Sequence, residues 1–147
     1  MPLLDRIQKD MIEAMKAKDE ARLSTARMIK TALMKYKADK MKDADEAAEQ
    51  QILSLLLKQR HESAEMFRKG GREDSAVKEE QEAKLIEGYM PAMASAEEVA
   101  AAVDAAVAAS GGGAKNMGPV MNAVKAALAG KRVDGRALSE LVKAKLG

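Results

Sequence analysis

Met117-Gly-Pro-Val-Met121 opens a short apolar segment, Gly130-Lys-Arg-Val-Asp-Gly-Arg136 interrupts it, and a second apolar segment runs to Leu146. Val120, Val124 and Leu128 recur every four residues in the first segment, and Leu138, Leu141, Val142 and Leu146 at helical spacing in the second. This predicts two short helices, roughly Met117 to Ala129 and Gly135 to Leu146. Between them lies a glycine-bounded turn that carries three cations. Pro119 suits a first helical turn, where a missing N–H costs little. Asp134 is placed to cap the final helix.

The same helical period extends back through the chain. Leu4, Ile7, Met11 and Met15 predict a helix over about Leu3 to Lys18. Asp19 is a cap for a helix from Glu20 to Lys40, with Leu23, Ala26, Ile29, Leu33 and Tyr36 on one face. Asp43 or Asp45 caps a third helix, about Ala47 to Lys69. Ile52, Leu53, Leu56, Leu57, Ala64 and Phe67 give it the widest apolar face, which places it at the centre of an N-terminal bundle. Gly70-Gly71 stops it. A fourth helix, about Glu73 to Tyr89, carries Ala83, Ile86 and Tyr89 inward, and Pro91 ends it. Ser95 and Glu98 have capping-box spacing before a helix to about Ala109, with Val99, Val103, Ala106 and Val107 on one face. Gly111-Gly-Gly113 reads as a flexible break.

The fold class is therefore all-α. It comprises an N-terminal bundle of about four helices, residues 1–91, and a C-terminal three-helix subdomain, residues 92–147. The 147 residues suffice for one modest core or two small ones. Phe67, Tyr36 and Tyr89 are the only aromatics, so aliphatic residues must fill those cores.

The chain has no cysteine, which excludes disulfide and thiolate chemistry. No signal-peptide pattern opens it, and no apolar run approaches the roughly 20 residues of a membrane span, so a cytoplasmic protein without membrane contact is expected. Residues 1–42 hold eleven Lys/Arg against six Asp/Glu, residues 43–90 seven against twelve, and residues 91–147 seven against five. All seven C-terminal cations follow Gly113.

Catalytic patterns are missing. His61, the single histidine, lacks companion ligands for a metal. No serine sits in a G-x-S-x-G elbow. Glu79, Glu80 and Glu82 read as solvated residues of a charged helix, or as an acidic face for a basic partner. Gly111 to Lys115 lacks the spacing of a phosphate loop. The methionines read as adaptable core packing, with a groove for a partner as the alternative. No cofactor, no metal and no catalytic residue are expected.

What remains is the basic turn. Lys131, Arg132 and Arg136 are expected to project from one small region, with Lys115 and Lys125 (and Lys143 and Lys145) extending the patch. The helix start at Gly118 is a candidate for phosphate contact through free N–H groups. Without stacking aromatics in this segment, contacts would be with phosphate, ribose and shape.

Other segments carry a family resemblance. They are Lys18-Asp-Glu-Ala-Arg-Leu-Ser-Thr-Ala-Arg-Met28, Lys58-Gln-Arg-His-Glu-Ser63, Phe67-Arg-Lys-Gly-Gly-Arg-Glu-Asp74 and Glu87-Gly-Tyr-Met-Pro91. With the two C-terminal motifs quoted above, their order and spacing resemble the YqeY-like proteins of the GatB/YqeY family. The resemblance implies a bacterial-type protein whose C-terminal part is similar to the tail domain of the B subunit of tRNA-dependent amidotransferases. Those enzymes are carbon–nitrogen ligases with glutamine as amido-N-donor, and their tail helps hold the tRNA. The catalytic cradle of that subunit has no counterpart here. The expectation is a tRNA-binding or amidotransferase-related accessory protein, with tRNA as partner and any ligase role by association. The alternative is a helical adaptor in which basic helix two and acidic helix four meet another protein or a second copy. An enzyme in its own right is a third reading. The oligomeric state stays open.

Overall fold

The computed structural model describes residues 2–147; Met1 lies outside the described residues. Among them the chain forms seven α-helices and no strand: α1 Leu3–Ala17, α2 Glu20–Lys40, α3 Glu46–Lys69, α4 Glu73–Glu87, α5 Ala96–Ser110, α6 Met117–Ala127 and α7 Gly135–Leu146. A 3₁₀ turn, Ala114–Asn116, precedes α6. The protein is all-α. It divides into two compact units, Met1–Met90 and Pro91–Gly147.

The caps explain where the helices start. Asp19 accepts the Arg22 N–H at 3.1 Å, and Asp45, rather than Asp43, accepts the Ala48 N–H at 2.8 Å. Ser95 and Glu98 form a full reciprocal capping box. Asp134 accepts from both Arg136 and Ala137.

Helix ends differ from expectation by a residue or two. α1 stops at Ala17 because Lys18 takes a left-handed conformation, φ 55°, and the next N–H, Asp19's, returns to the Ala14 carbonyl. α4 stops at Glu87, two residues early. The Tyr89 and Met90 N–H groups bond three residues back, to Ile86 and Glu87, in a tighter turn. α6 stops at Ala127, and Lys131 donates to the Leu128 carbonyl. The Gly111–Gly113 run is a tied turn. All three glycines have positive φ, and the Asn116 amide donates to the carbonyls of Ser110 and Gly112.

In the N-terminal unit α1 pairs with α2 and α3 with α4, while α2 packs against all three others. Leu3, Ile7, Ala26, Ile29, Leu33, Leu53 and Ile86 form its core. Two expectations change. α2 has the position expected of α3. Met15 is half exposed, and Ala14 is buried in its place. In the C-terminal unit α5, α6 and α7 contact one another in pairs. Val103, Val120, Val124, Leu128, Leu138, Val142 and Leu146 form a separate core.

Candidate nucleic-acid interface in the C-terminal unit

The basic turn begins where α6 runs out. Gly130 has φ 87°, a conformation that strains any residue with a Cβ. The chain then runs beside residues 91–94. Arg132 N–H donates to the Ala92 carbonyl at 3.0 Å, and Ala94 N–H donates to the Arg132 carbonyl at 2.8 Å, an isolated bridge pairing Met93 with Arg132. The Arg132 side chain turns the same way, with Nε donating to the Pro91 carbonyl at 2.8 Å.

The three turn cations, expected to project from one small region, have different partners here. Arg132 is half-buried and braces the turn against the first residues of its own unit. Lys131 pairs with the Glu98 carboxylate on α5. Arg136 is 91% exposed and stands 3.7 Å from Glu140, one helical turn on. Lys115, on the 3₁₀ turn, and Lys125, on α6, are exposed and make no ion pair among the described residues. Lys143 on α7 is likewise exposed, whereas Lys145 lies 3.4 Å from Asp104.

Gly118 is the second residue of α6, and a Cβ there would meet nothing within 4 Å. Close backbone approach is therefore not what calls for glycine. The Met117 N–H is committed to Ala114, and Pro119 has none, so this helix start offers fewer donors than an ordinary N-terminus.

The Glu98 carboxyl is held below the usual carboxylate range, first by the hydrogen bond from Lys131 and then by the Ser95 N–H. A depressed carboxylate stabilises the fold above its ordinary pKa, and that contribution is lost as pH falls through the lower, folded value. The thermal midpoint of the C-terminal unit is therefore expected to drop on acidification from about pH 6 towards about pH 3. In Lys131→Ala the drop should be shallower. Thermal scans by circular dichroism across that range check it, and equal slopes for the two proteins would contradict it.

Charge in the N-terminal unit is also organised, and there the sequence reading of Glu79, Glu80 and Glu82 as solvated is corrected. Glu82 is buried, and Glu79 and Glu80 are half-buried. The Arg60 guanidinium lies 3.2 Å from Glu79 and 3.4 Å from Glu82. Arg68 bridges Glu73 and Glu80, whose carboxyls its hydrogen bonds hold below their ordinary range. Tyr89 donates its phenol to Asp10, and Arg6 stacks over its ring at 5.1 Å. Burial first, and then that hydrogen bond, pushes the phenol above its ordinary pKa. His61 is exposed, with Nε2 4.0 Å from Glu87. Among the described residues no group of three or more acidic or histidine side chains is arranged to hold a metal. No helix among them is long and apolar enough to cross a membrane.

Fold and site thus define a two-unit, all-α protein with exposed cations on its C-terminal unit. The chain belongs to the YqeY-like protein family, whose model matches residues 4–146. It is similar to fungal proteins named altered inheritance of mitochondria protein 41, mitochondrial. Identity is 40% over 105 residues with that of Eremothecium gossypii, covering 69% of this chain and 57% of the relative. It is 38% over 100 residues with that of Kluyveromyces lactis, covering 66% and 54%. With that of Pyrenophora tritici-repentis it is 26% over 148 residues, covering 99% and 81%. The chain thus spans about half the length of the more similar fungal relatives. These relatives are mitochondrial by name, where the resemblance implied a bacterial-type protein.

Proposed function

We propose that the chain is a tRNA-binding accessory protein associated with tRNA-dependent amidotransfer, and that its C-terminal unit holds tRNA as an amidotransferase tail domain does. The observation that carries this reading is the set of exposed cations on that unit. Lys115, Lys125 and Lys143 make no ion pair among the described residues, and Arg136 is almost wholly exposed beside one weak partner. Phe67, Tyr36 and Tyr89 all lie in the other unit, so the contacts here are with phosphate and ribose rather than stacked bases. Chemistry on the tRNA belongs to a partner ligase. The cytoplasm is the setting this reading gives the chain; for the fungal relatives the printed name gives the mitochondrion.

The test is fluorescence anisotropy with labelled total tRNA over a salt series, on the full chain. Lys115→Gln, Lys125→Gln and Arg136→Gln together should weaken binding about tenfold or more. They should also flatten the slope of log affinity against log salt by about two to three. Absence of binding at low salt, or an unchanged slope in the triple variant, would refute the role.

A further inference from the structure

We infer that the N-terminal unit carries a second, separate polyanion surface on α2, shaped for the phosphate backbone of a nucleic-acid duplex. Residues 27–42 hold six cations, Arg27, Lys30, Lys35, Lys37, Lys40 and Lys42, against Asp39 alone. At about 100° per residue, Arg27, Lys30, Lys35 and Lys37 fall within an arc of roughly 160°. The core-facing Ala26, Ile29 and Leu33 fall outside that arc, Ile29 nearly opposite its middle and Ala26 beside its edge. From Arg27 to Lys37 the stripe runs about 15 Å at 1.5 Å per residue. Lys37 meets Asp43 at 3.2 Å; the other five cations make no ion pair among the described residues.

The unit's acids behave differently. Glu79 and Glu82 are taken up by Arg60, and Glu73 and Glu80 by Arg68. Glu62 and Glu65 pair along α3 with Lys58 and Lys69. These acids all have a cationic partner, although residues 43–90 still hold twelve Asp/Glu against seven Lys/Arg, whereas five of the six cations of residues 27–42 have none among the described residues. On a second copy the acids nearest a complementary face, Glu73, Glu79, Glu80 and Glu82, are already engaged by Arg60 and Arg68, so an extended polyanion fits the unpaired stripe better; self-association that the Gln variant abolishes would instead point to a second copy. An acidic membrane fits poorly. A helix lying on lipid needs a broad exposed apolar face, and α2 spends its apolar face on the core. Met34 and, at the end of the helix, Met41 are the exposed large apolar side chains along it, two isolated residues rather than a face. No aromatic lies on the arc to stack an unpaired base, which favours a duplex backbone over a single strand.

The surface is independent of the C-terminal unit's reading, and the test separates them. The probe is a labelled RNA duplex of about 20 base pairs and arbitrary sequence, titrated with the full chain over a salt series. The variant is Arg27→Gln, Lys30→Gln, Lys35→Gln and Lys40→Gln together. It is expected to bind at least about thirtyfold more weakly at low salt, with a log–log slope smaller by about three. Lys30→Arg, Lys35→Arg and Lys40→Arg together keep the charge and should bind like the parent, which separates loss of charge from loss of fold. No duplex binding by the parent, or equal slopes for parent and Gln variant, would overturn the inference. So would loss of duplex binding only in the Lys115, Lys125 and Arg136 variant, or binding to phosphatidylserine vesicles but not to the duplex.

Discussion

Arg60→Ala is expected to destabilise the N-terminal unit by about 3 kcal/mol. Arg60 stands on α3 with its guanidinium 3.2 Å from Glu79 and 3.4 Å from Glu82, both on α4. The three side chains retain only 22%, 17% and 11% of their exposure. Removing the cation leaves two carboxylates facing each other against the packed helix pair. Losing one member of a buried pair costs more than the pair contributes, because the remaining charge stays desolvated. Partial exposure keeps the figure at the low end of the range for buried pairs. Tyr36 and Tyr89 both lie in this unit, so urea unfolding followed by tyrosine fluorescence reports on it alone. One further outcome identifies the cause. Adding Glu79→Gln and Glu82→Gln to the Arg60→Ala background should recover much of the loss. A loss below about 1 kcal/mol would place the trio with ordinary surface pairs.

The contrast between helices and charges shows what local sequence can carry. Helix number, caps and inward faces were legible because each is written within a few neighbouring residues. Asp19 accepts from Arg22, Asp45 from Ala48 and Ser95 from Glu98, all three residues away. Even the Met15 error is local in size: the buried stripe passes one residue earlier, through Ala14. The trio of Arg60, Glu79 and Glu82 was not legible. It depends on the register of α3 against α4 across the Gly70–Gly71 turn, and each helix alone shows only a charged face. The bracing by Arg132 was hidden for the same reason, its partner carbonyl lying 41 residues back along the chain. A run of glycines and cations says that the chain turns and that charge is present. Which cation is spent on backbone and which is left for solvent is decided by the segment that docks beside it.

That distinction makes Arg132 and Arg136, four residues apart and alike in chemistry, a decisive pair. Arg132→Ala is expected to destabilise the C-terminal unit by about 2 kcal/mol, the scale of a hydrogen bond from a charged donor to a part-buried carbonyl. The Pro91 carbonyl loses its 2.8 Å donor, while the strap of residues 91–94 keeps its backbone bonds to Arg132 and the packing of Ala94 on the core. Arg136→Ala removes a side chain that is 91% exposed and held by one 3.7 Å contact, so its effect on stability should stay within about 0.5 kcal/mol. Because both tyrosines are in the other unit, the Arg132→Ala loss should appear as a shifted helical transition in far-ultraviolet circular dichroism, with tyrosine fluorescence unmoved. In RNA binding the order should reverse. At temperatures where both variants are folded, Arg136→Ala should lower both affinity and salt slope, and Arg132→Ala should leave the slope close to that of the parent. If Arg132→Ala lowers the slope without changing stability, its guanidinium leaves Pro91 to meet phosphate, and the basic turn works as one cluster after all.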